Sequence, residues 1–428
     1  MRDYLIMAFI FGMLPFCFFR PYIGALMWVW ISIMNPHRLT WGPAYGFPFA
    51  MLVAVTTMAG VLISKDRGKF PASREVTLII LMGIWFTLTT TVALMPAAAW
   101  VKWNRVTKIY LMTIVPLFLL QGRNRLRLLL LTMVGSIAYF SVKGGIFSII
   151  TGGHYRVYGP AQSFIEDNNA LAVAELMVLP FMVHLGRTEK RPWVRRGLHF
   201  SALMTVISIV FSYSRGALLG LFAVAAVYVT SKRRWGYAVA FLILAGVGYS
   251  FIPQQWYDRM RTISSYKQDE SAMARFQSWG FAINVATDRP VTGGGYRVFS
   301  SDQFLRYGPD PFEAYDSHSI YFEVLGEHGF VGLGLFLALL GSTFLSIRQV
   351  ERSIRRKPAL AWASEYCTML RLSLVAYAVG GAFLGLAYFD LYMDVVAAVV
   401  LLKIVVRREL AQERLPEKLA AVPQPAVA

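Results

Sequence analysis

Apolar residues run through the chain in long stretches, separated by short polar connections rich in lysine and arginine. Runs of roughly 17–25 apolar residues match the length of a helix that crosses a bilayer. The pattern predicts membrane spans near 4–35, 44–64, 75–95, 103–120, 126–150, 168–186, 197–213, 215–231, 235–252, 318–346, 368–387 and 390–406. That makes about 12 spans. Arg20-Pro21 interrupts the first, which is either one kinked span or two short ones, so the side of the N-terminus stays open. The expected fold is an all-α polytopic membrane protein. Its parts are amino-terminal transmembrane helices over 1–252, a long loop over 253–317, carboxyl-terminal transmembrane helices over 318–406 and a tail over 407–428. The tail ends in AAVPQPAVA, a composition that predicts disorder. The first apolar run lacks a basic leader and a small-residue cleavage site, so no cleaved signal peptide is expected.

Composition agrees with the pattern. Hydrophobic residues make up 56% of the 428 and charged residues only 15%, against about a quarter charged in soluble domains. The formal charge of +18 invites a nucleic-acid reading, but its distribution argues against one. Basic residues cluster in short connections: Lys65 to Arg74, Arg123 to Arg127, Arg187 to Arg196, Lys232 to Arg234, Arg348 to Lys357, and Arg407-Arg408. Such loops stay in the cytoplasm, and counting spans puts all of them on one side. Cys17 and Cys367 lie in or beside separate apolar runs, which predicts packing roles and no disulfide.

The same topology assigns the other connections to the outer face: 35–46, 96–103, 151–169, 212–216 and the nearly neutral 253–317. Cations near these segments oppose the usual bias. Arg215 sits in FSYSRGALLG, a tight junction between two apolar runs. Lys102, Arg105 and Lys108 in WVKWNRVTKIY recur every three residues and share a helical face. Lys143 and Arg156 flank another outer segment, and Arg275 opens the amphipathic stretch RFQSWGFAINV. For Lys108 and Lys143 the plain alternative is snorkelling to the headgroups; for Arg275 it is solvation. In the junction at Arg215 snorkelling is less favoured. Charges at a membrane are costly unless paired or functional.

Converging arginines suit a phosphate-bearing headgroup, because guanidinium binds phosphate through forked, charge-assisted hydrogen bonds. Polyprenyl-diphosphate-linked glycans are such a substrate class. When a sugar leaves a diphosphate, charge grows on the departing oxygen, and preorganised arginines can stabilise it as a metal would. The acceptor hydroxyl needs a base. His318, in SHSIYFEVLGEHGFVGLG at the start of an apolar helix, has the right pKa range; its bland reading is an interfacial cap. Glu323 and Glu327 share a face, but His318 diverges from them, so no metal site is expected. TGGGYR at 292–297 lacks the strand and lysine of a nucleotide loop and reads as a turn.

With these residues in view, the chain resembles the O-antigen ligase and polymerase superfamily of bacterial inner membranes. The carboxyl-terminal half carries its pattern: SRGALLG, then RFQSWGFAINVATDRPVTGGGYRVF, then SHSIYFEVLGEHGFVGLG. The amino-terminal half is similar to the O-glycosylation ligase subfamily associated with exosortase systems, through NPHRLTWG and VKGGIFSIITGGHYRVYGPAQSFIEDNNALA. The resemblance implies a GT-C-like membrane glycosyltransferase with its active site facing the periplasm. It implies that His318 is the catalytic base and that Arg215 and Arg275 hold undecaprenyl diphosphate. Arg105, Lys102 and Arg156 are further candidates for the diphosphate. Transfer would be inverting and metal-independent, with no cofactor. The family often has His-Asn where this chain has His318-Ser319.

The leading expectation is an O-antigen ligase moving the glycan en bloc from undecaprenyl diphosphate to a lipid A–core sugar hydroxyl. Ligation to a protein hydroxyl and polymerisation of the glycan use the same donor and stay open. A lipid or glycan transporter belongs to another class; it would place ionisable residues at the midplane, whereas these gather at one rim. The partners expected are the lipid-linked donor, the acceptor and membrane lipids, with no nucleic acid.

Overall fold

The computed structural model describes residues 1–232, Gln254 and residues 270–420. Among these, the secondary structure is helical, without strands: α1 (Arg2–Phe19), α2 (Pro21–Met34), α3 (Phe49–Ile63), α4 (Arg74–Thr91), α5 (Pro96–Leu119), α6 (Arg123–Ile150), α7 (Asn168–Thr188), α8 (Pro192–Val210), α9 (Arg215–Lys232), α10 (Glu270–Asp288), α11 (Ser301–Tyr307), α12 (Ile320–Ile354), α13 (Ala361–Gly380) and α14 (Asp390–Ala420), with short 3-10 turns. By length and composition, five helical segments can cross a membrane: Arg2–Phe19, Arg123–Ile150, Asn168–Thr188, Ile320–Ile354 and Pro358–Phe383. Pro21–Met34, Phe49–Ile63 and Arg215–Thr230 are apolar but shorter. The expected span over 235–252 lies outside the described residues, as does nearly all of AAVPQPAVA.

The interruption at Arg20-Pro21 is a chain reversal. α1 and α2 form an antiparallel hairpin in which Phe9 meets Trp30 edge to face at 5.5 Å. Pro21 at the first position of α2 has no N–H to lose there, so it starts a helix cheaply. Asp3 Oδ1 accepts from the amides of Gly42 and Ala44 at 2.9 and 3.3 Å, which fixes the N-terminus at the end that carries 35–46.

The centre of the bundle is α14. Every residue from 386 to 403 is buried, Asp390, Asp394 and Lys403 included, so the helix is covered on all sides. α5, α12 and α13 pack around it, and α7 sits between α8 and α13. α14 continues as helix through Ala420, past the expected tail boundary at 406.

Two elements depart from expectation. The described part of 253–317 is a helical unit in which α10 and α11 close a small core of Phe281, Val285, Val298, Phe304 and Tyr307. The helix expected at 318–346 begins at Ile320 and breaks at Gly329 (φ 67°, ψ −170°). A break inside a span strands carbonyls and amides, and each costs several kcal/mol in hydrocarbon, on the order of a lost buried hydrogen bond. The 290–295 segment supplies the partners. The amides of Gly294 and Gly295 donate to the carbonyls of Gly326 and Glu327, both at 2.8 Å, and Phe330 donates to the Pro290 carbonyl at 2.9 Å. Trp85 Nε1 donates to the His328 carbonyl at 3.3 Å. Only glycine fits at 329, because a Cβ there would lie 2.6 Å from the carbonyls of Pro290 and Val291, at a φ that L side chains rarely adopt. The TGGGYR turn is thus the splint of a broken helix.

Candidate active site

α10 acts as a rail along which 307–316 is laid. Asn284 Nδ2 donates to the Tyr307 carbonyl at 2.8 Å, and Pro309 packs on Gly280. The Asp310 amide donates to Gln277 Oε1 at 3.0 Å, and Ser278 Oγ donates to the Asp316 carbonyl at 2.6 Å. Arg275 lies one turn before Ser278, and this brings its charge to His318. Burial and then Arg275 hold the imidazole below its ordinary range, opposed by Asp316 and Asp167. A neutral imidazole is therefore favoured.

His318 is half-buried and left-handed (φ 47°), a conformation non-glycine residues adopt only when surroundings enforce it. The residue after it explains part of this. Ser319 is the N-cap of α12, its Oγ accepting from the Tyr321 amide at 3.3 Å. Serine and asparagine are near-equal N-caps, so asparagine at 319 would preserve this capping geometry.

Arg215 is the first residue of α9. The junction before it is pinned by Asn168 Nδ2 donating to the Ser212 carbonyl at 2.7 Å and by Ser214 Oγ accepting from the Ala217 amide at 3.2 Å. Tyr213 (φ 60°) donates its hydroxyl to the Gly153 carbonyl at 2.7 Å. Gly216 packs on Phe383, whose ring lies 6.5 Å from that of Trp279, four residues after Arg275. Ile320 covers Gly381. Gly216 of α9, Trp279 of α10 and Ile320 of α12 thus meet at the same 380–383 turn, one, four and two residues from Arg215, Arg275 and His318.

The other cations divide. Arg156 is exposed, and its charge is felt at Tyr213, beside Arg215. Arg105 lies 3.7 Å over the Phe164 ring and faces Asp390, with Arg297 and Arg38 nearby. It shares with Lys108 a cavity of about 320 Å³. Lys143 is exposed on α6. Lys102, expected at the diphosphate, is turned inward. Its Nζ lies 2.9 Å from both Glu323 Oε1 and Glu327 Oε1, with only 16% of the side chain exposed. Glu323 Oε2 also accepts from the Ala387 amide at 3.0 Å, and Glu327 accepts from the Tyr388 hydroxyl at 2.7 Å and the Arg297 amide at 2.8 Å. The two carboxylates that share a helical face converge on an ammonium.

Residues that sequence reasoning passed over now matter. Arg297, inside the supposed turn, is left-handed at φ 62° and exposed beside Arg105, a further cation at this rim. The two distinctive amino-terminal stretches meet here, where Arg38 Nη1 donates to Gln162 Oε1 at 2.8 Å. Asp167 caps α7 through the amides of Asn169 and Ala170 and adds a carboxylate near His318. A cap signal alone could have placed Asp167 at a helix start; nothing local pointed to the histidine.

Two known families match the chain in separate regions. Residues 1–190 match a family of unknown function, and residues 200–337 match the family described as O-Antigen ligase. No curated protein matches the chain significantly. The second match covers SRGALLG, α10 and the broken start of α12, and through it residues 200–337 carry an O-antigen ligase domain, which supports a place for the protein in that superfamily.

Proposed function

We propose that the chain is an inverting membrane glycosyltransferase, an O-antigen ligase that takes its glycan from undecaprenyl diphosphate at the periplasmic face of a bacterial inner membrane. The acceptor is a lipid A–core sugar hydroxyl. The observation that carries the reading is His318, half-buried, left-handed and under the charge of Arg275, within the stretch that matches the ligase family.

In the proposed step the acceptor oxygen attacks the anomeric carbon as its proton passes to His318 Nδ1 or Nε2. The bond from that carbon to the diphosphate oxygen breaks on the opposite face, and undecaprenyl diphosphate leaves with the electron pair. Arg215 and Arg275 stabilise the growing negative charge through forked hydrogen bonds, with Arg156 and Arg105 further out along the rim. Direct displacement inverts the anomeric configuration. Lys102 takes a positioning role, clamping Glu323 and Glu327 on the half-helix that follows His318. Neither a metal nor an organic cofactor enters the scheme.

Acceptor choice is tested by reconstituting the protein with a lipid-linked glycan and offering lipid A–core, a hydroxyl peptide or a second glycan separately. Transfer to lipid A–core alone is expected. Transfer to the peptide or glycan alone would reassign the protein as a protein ligase or a polymerase.

The electrostatics predict a pH effect. A base works when neutral, so the rate falls as pH drops through the imidazole pKa. Arg275 disfavours the imidazolium. Arg275→Gln should raise the imidazole pKa and move the acid limb of kcat/KM to higher pH, on top of any loss in rate. An acid limb that stays in place or moves to lower pH would show that Arg275 does not act on the base.

A further inference from the structure

The end of the bundle opposite His318 carries a second polar feature, which the glycosyl-transfer reading does not use. α5 links the two: Lys102 near its start meets Glu323, while Gln121, just past its end, donates Nε2 to the Lys69 carbonyl at 2.7 Å. The 19 residues from 102 to 121 put the two ends about 30 Å apart at helical rise.

At that far end a cavity of about 190 Å³ opens between the segment before α4 and the middle of α14. Lys69, Lys403, Arg407 and Arg408 converge on it, from stretches more than 300 residues apart in sequence. Phe70 and Ile404 line its apolar side, and Phe70 is 49% exposed.

The cations there differ from their neighbours. At the same end Arg125 pairs with Asp66, Arg127 with Glu189, and Lys357 with Glu413. Among the described residues, no ion pair is formed by Lys69, Arg407 or Arg408; Arg408 donates to the backbone and side-chain oxygens of Gln121. Lys403 lies deeper, 3.0 Å from Ser346 Oγ and 3.9 Å from the Glu75 carboxylate. The cavity thus holds cationic charge with one buried carboxylate behind it. Topology alone accounts for cations in loops; it does not require them to converge on a concavity with an aromatic wall.

We propose that this cavity binds the phosphate headgroup of an anionic glycerophospholipid, independently of the glycosyl-transfer site. Guanidinium and ammonium groups would hold the phosphate, while Phe70 and Ile404 lie against the glycerol and the first methylenes. A free phosphate ion would satisfy the cations but leave the apolar wall without a role, so the lipid is the favoured source.

The full-length protein, purified in detergent and delipidated, is titrated with phosphatidylglycerol, with phosphatidylcholine and with inorganic phosphate at matched ionic strength. Bound lipid is counted by native mass spectrometry on folded ions, so lost stability cannot imitate lost binding. Phosphatidylglycerol should bind in preference to phosphatidylcholine. Lys69→Gln/Arg407→Gln should weaken it roughly thirtyfold, and Lys69→Gln alone by a smaller factor. The control Arg195→Gln/Arg196→Gln, exposed cations at the start of α8, should bind like wild type. Equal weakening in the control, unchanged binding in the cavity variants, or full competition by inorganic phosphate would each overturn the proposal.

Discussion

His318→Asn is expected to abolish glycan transfer, by roughly 10²–10⁴-fold for the loss of a general base, while the protein folds and inserts normally. Asparagine is the informative replacement. It tolerates the left-handed backbone that His318 adopts, whereas alanine there adds strain of about 1–2 kcal/mol. A half-buried side chain at the rim also gives up little packing when shortened. The pair His318→Asn and His318→Ala therefore separates backbone from chemistry: both should be inactive, and only the alanine variant less stable. Near wild-type turnover by the asparagine variant would reduce His318 to a conformational hinge at the start of α12.

The largest expected effect on stability is at Lys102. Its ammonium lies between two carboxylates that are 9% and 2% exposed. Lys102→Met leaves both without their counter-charge, and breaking such a pair costs about 3–5 kcal/mol. The triple variant Lys102→Met/Glu323→Gln/Glu327→Gln removes the charges together and should recover most of the loss, because amides can keep the bonds from Ala387 and Tyr388. The measurement is thermal unfolding in detergent. A Lys102→Met variant with wild-type stability and a raised donor KM would return Lys102 to the diphosphate and remove it from the clamp.

This lysine also shows where reading the sequence reaches its limit. The apolar runs make most helices visible, because the bilayer-length pattern is local and strong. The hairpin at Arg20-Pro21 leaves both options open in sequence, and contact between Phe9 and Trp30 decides it. In the sequence, Arg215 and Arg275 stand out among several cations that oppose the charge bias, and only the family resemblance sets them, with His318, above the rest. The partner of Lys102 is not legible. Glu323 and Glu327 lie 221 and 225 positions away, and no periodicity spans that distance. The break at Gly329 is hidden for a related reason. A single glycine in an apolar run reads as part of a helix, and its cause is the 290–295 splint packed against it. The 253–317 region reads as a loop because its charges balance, although RFQSWGFAINV already carries the amphipathic period of α10.

The central claim is direct displacement at the anomeric carbon with arginines, not a metal ion, holding the leaving diphosphate. It is tested most directly by analysing both products of the reconstituted reaction in excess chelator, after bound divalent ions have been removed. The account predicts undecaprenyl diphosphate released in equal amount to glycan transferred, and a new glycosidic linkage of configuration opposite to that in the donor. A retained configuration, or turnover that stops in chelator and returns with magnesium or manganese, would contradict it.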